Sequence, residues 1–124
     1  KTINEEDINL FSKITGDNNP VHIDEEFAKR TIFKKRIAHG FLSGSLISTV
    51  IATKLPGPGS IYLKQNLKFL APVFIGSTVT AKVTVEEIKL ELKKVLLLTE
   101  CFIDEKKILT GNAEIMVSSK TDLK

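Results

Sequence analysis

The stretch GFLSGSLISTVIATKLPGPG, residues 40–59, decides the fold. Phe41, Leu42, Leu46, Ile47, Val50, Ile51 and Leu55 recur at three- and four-residue steps, while Gly44, Ala52 and several hydroxyl residues fill the gaps. That spacing predicts a largely buried helix over roughly 41–54. Pro56-Gly57-Pro58-Gly59 cannot continue it, because two prolines lack the amide donor and two glycines favour turns. Ser43, Ser45, Ser48, Thr49, Thr53 and Lys54 make the run too polar for a membrane span, and none is expected.

Downstream, the apolar period falls to two. Over residues 61–70, Leu63, Leu67 and Phe69 alternate with Lys64, Asn66 and Lys68, the pattern of a half-buried strand, with Pro72 and Gly76 as punctuation. Val79, Ala81, Val83 and Val85 line one face of a second strand, residues 95–103 form a third and residues 108–117 a fourth. Asp104-Glu105-Lys106-Lys107 is the expected hairpin connection between the last two.

Upstream, Asn4 precedes Glu5, Glu6 and Asp7, an N-cap followed by acids that complement the helix dipole, and Ile8, Phe11 and Ile14 recur at helical spacing. This predicts a helix from about 5 to 14 that ends near Gly16. Asp17-Asn18-Asn19-Pro20 reads as a turn, with Pro20 pushing Asn19 out of the helical region. Asp24 is placed to cap a second short helix through Ala28, and a basic, less regular stretch follows from Thr31 to Arg36. Helices first and hairpin-connected strands afterwards indicate an α+β domain whose antiparallel sheet covers the apolar helix. One helix cannot cover both sheet faces, so a second copy is the expected cover and a homodimer the expected assembly.

With 124 residues the chain is one domain, residues 1–124, and at this size roughly 68% of the unfolded surface is buried without help from disulfides or metal. A composition 42% hydrophobic and 27% charged excludes disorder as the main state. Cys101 is the single cysteine, which excludes an intrachain disulfide and any multi-cysteine metal or redox site and fits a reducing compartment. A net charge of +3, no Trp and no basic run longer than Lys34-Lys35-Arg36 argue against nucleic-acid binding. No secretory pattern follows Lys1, although a trimmed targeting segment would leave no trace, and Thr121-Asp122-Leu123-Lys124 matches no address. A cytoplasmic setting is expected, or a mitochondrial one after removal of such a segment.

Only two histidines exist, His22 just after the Asp17–Pro20 turn and His39 just before the central helix. Asp17 and His22 are five residues apart across a bend stiffened by Pro20, close enough to converge as a proton-transfer pair. The bland alternative is that Gly-Asp-x-Asn-Pro is only a turn and each histidine only structural. Asn19, with donor and acceptor, could fix the loop or orient a catalytic group. Gly40 opens the helix, where free N–H groups can hold an oxygen that becomes negative during reaction.

The run Phe11-Ser12-Lys13-Ile14-Thr15-Gly16-Asp17-Asn18-Asn19-Pro20-Val21-His22, five residues and then Ala28, resembles the MaoC-like, (R)-specific enoyl-CoA hydratases and their 3-hydroxyacyl thioester dehydratase relatives. Ala38-His39-Gly40, residues 56–62 and residues 69–76 resemble the same family's pattern. The resemblance implies a single hotdog domain, a curled antiparallel sheet around a long helix, working as a dimer on an acyl-CoA or acyl-carrier-protein thioester without a cofactor or metal. It implies that Asp17 deprotonates or orients a water adding to the β-carbon of a trans-2-enoyl thioester, while His22 protonates the α-carbon; dehydration reverses both. It further implies that the Gly40 N–H binds the thioester oxygen and that Ser48, facing the loop from the helix, positions the Asp17 carboxylate. Partial burial is expected to raise the carboxylate's proton affinity and lower that of the imidazole.

The remaining candidates have weaker claims. His39 could polarise the Gly40 amide region, contact ligand, or simply close the helix N-terminus. Lys34, Lys35 and Arg36 could meet the phosphates of coenzyme A or an acidic carrier protein, or be a solvated loop. Phe33 and Phe41 read as core or tunnel wall, and Cys101 as a small buried hydrophobe. A hotdog acyl-CoA thioesterase is the nearest alternative enzyme, but it commonly takes a carboxylate from the central helix, and residues 41–55 hold no Asp or Glu. A non-catalytic acyl-thioester binding module would be expected to have lost Asp17 or His22, and both are present.

Overall fold

The amino-terminal capping signal is realised as expected. In the computed structural model, which describes residues 1–117, the Asn4 side chain accepts from the Asp7 N–H and Asp7 bonds back to the Asn4 N–H, so helix α1 (Glu5–Thr15) starts in a reciprocal capping box. It stops at Gly16, whose φ of 78° is the left-handed conformation that glycine adopts without penalty. The expected turn at Asp17–Pro20 runs directly into one helical turn, α2 (Pro20–Ile23), with Asn19 as its N-cap and Pro20 at its first position. Asp24 then caps α3 (Glu25–Lys29) through the Phe27 N–H. The central helix α4 (Gly40–Thr53) lies within one residue of its expected bounds.

Five strands follow: β1 (Ile61–Gln65), β2 (Lys68–Phe69), β3 (Thr80–Lys89), β4 (Lys94–Ile103) and β5 (Lys106–Met116), with a 3-10 turn at Leu90–Leu92. They form one antiparallel sheet in the order β1-β5-β4-β3, with β2 also paired to β5. Helix α4 packs on β3 and β4. Ile47 and Ile51 of the helix join Val95, Leu97, Cys101, Leu109 and Ile115 of the sheet in the core, all 1% exposed or less. Each such aliphatic side chain withdrawn from water stabilises the fold by about 1.5–3 kcal/mol before ordering costs.

The strand expectations need three corrections. The single strand over 61–70 is two, because Asn66 crosses the ladder: its N–H donates to the Asn112 carbonyl and its Oδ1 accepts from the Asn112 N–H, both at 3.0 Å. That crossing is possible only because residue 111 is glycine; a Cβ there would sit 1.9 Å from the Asn66 carbonyl oxygen. The alternation over β1 does not produce half-burial, since Ile61, Tyr62 and Leu63 are all exposed, and Val85 of β3 is exposed too. Finally, β5 begins at Lys106, and the hairpin shrinks to Asp104-Glu105, with Asp104 at φ 54°. The terminal Thr121–Lys124 tetrapeptide lies outside the described residues. Among the described residues no helix is long and apolar enough to cross a membrane.

Candidate active site

The bend after α1 is built from side-chain to backbone hydrogen bonds. The Asn19 N–H donates to the Asp17 carboxylate at 3.3 Å, the Asn19 Oδ1 accepts from the Val21 N–H at 3.3 Å, and the Asn19 carbonyl accepts from the His22 N–H at 2.9 Å. Asn19 therefore fixes the loop, one of the two roles its donor and acceptor allow. Three groups meet behind this bend: ligand-capable atoms of Asp17, His22 and His39 all lie within 4.8 Å of one another. Asp17 is exposed, so the partial burial expected of its carboxylate is not a property of this chain. His22 is 9% exposed and His39 2%.

Both imidazoles have their proton positions set by carbonyls, which can only accept. The His22 Nδ1–H donates to the Ile37 carbonyl at 2.8 Å, which fixes the ring and leaves Nε2 outside that bond. The His39 Nε2–H donates to the Asp17 carbonyl at 3.1 Å, with the Ser12 hydroxyl 3.0 Å away. His39 thus buries Nδ1 as a bare acceptor without a partner among the described residues. Burial is the main cause that holds the His39 pKa below its ordinary 6.5, and the neighbouring His22 acts in the same direction. The two rings stack at 3.9 Å between centroids, and Phe11 closes the far side of His39 at 4.8 Å. His39 is the N-cap residue of α4, so of its three possible roles the geometry supports the structural one, as the plate against which His22 rests.

Arg36 belongs to this assembly and not to a solvated basic loop. It is 7% exposed; its Nε–H donates to the His22 carbonyl at 2.7 Å, and its terminal nitrogens donate to Glu5 at 2.8 Å and Asn9 at 3.0 Å. A phosphate contact is thereby excluded for Arg36, whose guanidinium is consumed in tying α2 to α1. Lys35 lies over the Phe74 ring, 4.9 Å from its centroid.

A cavity of about 470 Å³ opens beside His22. Gly40 and Ser43 of α4 line it together with an apolar wall that includes Phe33, Phe41, Phe69, Val73 and Leu109. Asp17 is not among the lining residues, but its carboxylate lies within 4.8 Å of the imidazole of His22, which is. Phe41 is 67% exposed and meets Phe69 edge-on at 6.0 Å, which makes it rim and not core. The Phe69 ring lies against Gly40 so closely that a Cβ on residue 40 would be 2.6 Å from its edge.

Ser48 is not where the resemblance placed it. It is exposed and makes no side-chain hydrogen bond among the described residues, to Asp17 or otherwise. At 3.6 residues per turn it lies roughly 140° around α4 from Ser43, on the face turned away from the cavity. Sequence reasoning passed over Ser12 and Ser43, and it offered Arg36 only as a phosphate contact or part of a solvated loop. Ser12 stood inside the quoted motif, but nothing along the chain marks which hydroxyl or cation becomes buried.

The family model described as MaoC like domain matches residues 1–100. The (R)-specific enoyl-CoA hydratase of Rhodospirillum rubrum is 51% identical over 97% of this chain and 83% of its own length. The 3-hydroxybutyryl-CoA dehydratase of Methylorubrum extorquens is 44% identical over 98% of this chain and 78% of its own. Among solved structures, the unliganded R-hydratase from Pseudomonas aeruginosa superposes with a TM-score of 0.89 at 47% identity, covering 97% of this chain and 77% of that one.

Proposed function

The chain belongs to the MaoC-like family, with its hotdog domain, and on that premise we propose that it adds water to trans-2-enoyl-CoA to give the (R)-3-hydroxyacyl thioester, and catalyses the reverse dehydration. The observation that carries the residue assignment is the approach of the Asp17 carboxylate and the His22 imidazole to within 4.8 Å at the edge of an apolar cavity. In hydration the Asp17 carboxylate takes a proton from water as the hydroxyl oxygen bonds to the β-carbon. The His22 Nε2–H gives its proton to the α-carbon, and the Ile37 carbonyl keeps that ring in place throughout. Charge moves onto the thioester oxygen between these events. The Gly40 N–H, among the first amides of α4 with no helical carbonyl to bond, meets that charge. The proton taken up by Asp17 then passes through solvent to the His22 Nε2, which resets both groups, so water and thioester balance the reaction and no electron or group carrier enters it.

The acyl chain fits the cavity wall of Phe33, Val73 and Leu109, with its reacting carbons toward His22. A second copy of the chain is the proposed cover for the open edge of β1, where Ile61, Tyr62 and Leu63 stand exposed. A coenzyme A or a carrier-protein thioester satisfies the same chemistry.

The test follows crotonyl-CoA by loss of its conjugated absorbance, with free thiol measured in parallel. Hydration without thiol release is expected, and Asp17→Asn and His22→Ala should each lower turnover by orders of magnitude while the chain stays folded. Thiol release without hydration would make the protein a thioesterase. Near-normal activity in either variant would remove the acid–base assignment.

A further inference from the structure

Helix α4 carries five hydroxyl side chains, and one of them is unlike the rest. Ser45, Thr49 and Thr53 bond back to the carbonyls of Leu42, Ser45 and Thr49 at 2.6, 3.2 and 2.6 Å, and Ser48 is open to solvent. Ser43 alone of the five is buried, at 3% exposure, and its Oγ has no hydrogen-bond partner among the described residues. A buried hydroxyl with no partner loses its hydration and gains nothing inside the free protein. The usual remedy for a helical serine, a bond to the carbonyl one turn back, is not taken.

The place of this hydroxyl suggests what it is held for. Ser43 lines the same cavity as His22 and Gly40, and it follows Gly40 by three residues, the spacing that puts two positions on one helix face. Its main chain is anchored from behind, where the Cys101 thiol donates to the Ser43 carbonyl at 3.6 Å across the interface between α4 and β4. Burial pushes that thiol up to about 11, so it remains a protonated donor at neutral pH. The turn bearing Ser43 is therefore pinned to the sheet where the residue lines the cavity, and its buried hydroxyl is left unpaired.

We propose that Ser43 is a catalytic residue whose hydroxyl donates to the thioester carbonyl oxygen of the bound substrate, as a second donor beside the Gly40 N–H. The inference rests on the hydratase reading above. Two donors on one oxygen, a backbone amide from the first turn and a hydroxyl from the second, stabilise the enolate more than either alone. The serine proton stays on Oγ throughout, so no bond to it is made or broken.

The experiment compares wild type, Ser43→Ala and Ser43→Cys on crotonyl-CoA. Ser43→Ala should melt no lower than wild type, because it removes an unpaired polar group, yet lose roughly 10–100-fold in kcat with little change in KM. Ser43→Cys, similar in size but a weak donor, should fall the same way and serves if the alanine variant fails to fold. A second readout avoids turnover. 2,4-Hexadienoyl-CoA bound to Asp17→Asn should show a red-shifted absorbance from polarisation of its carbonyl, and the shift should shrink in Asp17→Asn/Ser43→Ala. Wild-type kcat in Ser43→Ala, or an unchanged red shift, would overturn the assignment while leaving the hydratase reading intact. A wild-type protein that leaves crotonyl-CoA unhydrated would overturn both.

Discussion

Replacing Arg36 by methionine keeps an unbranched stem in the space between α1 and α2 and deletes three donors at once. Two of their partners have recourse to water: the Glu5 side chain is 65% exposed and Asn9 is also exposed. Loss of those bonds costs little, about 0.5–1 kcal/mol together, as for other surface pairs. The third partner is different. The His22 carbonyl accepts from the Arg36 Nε at 2.7 Å in a buried contact, and an orphaned buried acceptor costs about 1–3 kcal/mol. Arg36→Met should therefore lose roughly 1.5–4 kcal/mol, read from the urea midpoint at neutral pH with an unchanged m-value.

Activity should fall too, because α2 then loses its tie to α1 and keeps only Asn19, the Ile37 main chain and the stacked His39 ring to hold His22. A displacement near 1 Å at the proton donor is worth up to about 10²-fold in turnover, so a loss of roughly 10–100-fold in kcat on crotonyl-CoA is expected. Arg36→Lys should not restore it, since an ammonium cannot reproduce the guanidinium's fixed fork to three separate acceptors. A stability loss below about 1 kcal/mol together with full activity would refute this reasoning, because the His22 carbonyl would then have found another donor.

Two further outcomes follow from single geometries. Gly111→Ala places a Cβ 1.9 Å from the Asn66 carbonyl oxygen, backbone against backbone, so it should destabilise by about 3 kcal/mol in chemical denaturation; an unaffected midpoint would mean the Asn66 crossing can move aside. His39 is held below 6.5 by burial, so the unfolded chain binds its proton first as pH falls through about 6.5, and stability should decline with acidification from there toward the lower folded value. Asp7 and Glu114, both held below ordinary carboxylate values of 3.8 and 4.5, lend stability that is lost only at lower pH, so the upper part of the acid limb belongs to His39. His39→Gln, which keeps a donor for the Asp17 carbonyl, should flatten the urea midpoint between about pH 6.5 and pH 5, and an unaltered slope would locate the effect elsewhere.

The helices were the most legible elements because their signals are local. Asn4 and Asp24 cap the helices they were expected to cap, and Gly16 ends α1, since these choices depend on groups a few residues away. Helix α2 was missed because turn formers also start helices: Asn19-Pro20 is as good an N-cap and first position as it is a bend. The alternation over 61–70 indicated strand correctly and burial incorrectly. Period two says which side chains share a face, and only the rest of the chain determines whether anything covers that face.

The site divides along the same line. Asp17, His22 and Gly40 could be picked out because a carboxylate, an imidazole and a helix start stood at spacings that local geometry converts into proximity or function, and the family resemblance supplied their roles. Arg36 could not, since its bonds reach 14, 27 and 31 residues back along the chain. Ser48 and Ser43 are indistinguishable as letters on one helix, yet one faces solvent and the other the cavity. The amino-acid order determined the helices, the strand periods, the fold class and the closeness of the proposed reactive pair, because caps, turns and short bends are decided by neighbours. Only tertiary packing decided which hydroxyl is buried without a partner, which cation is spent as a brace and which strand face stays bare, because burial is a property of what the chain brings in from far away.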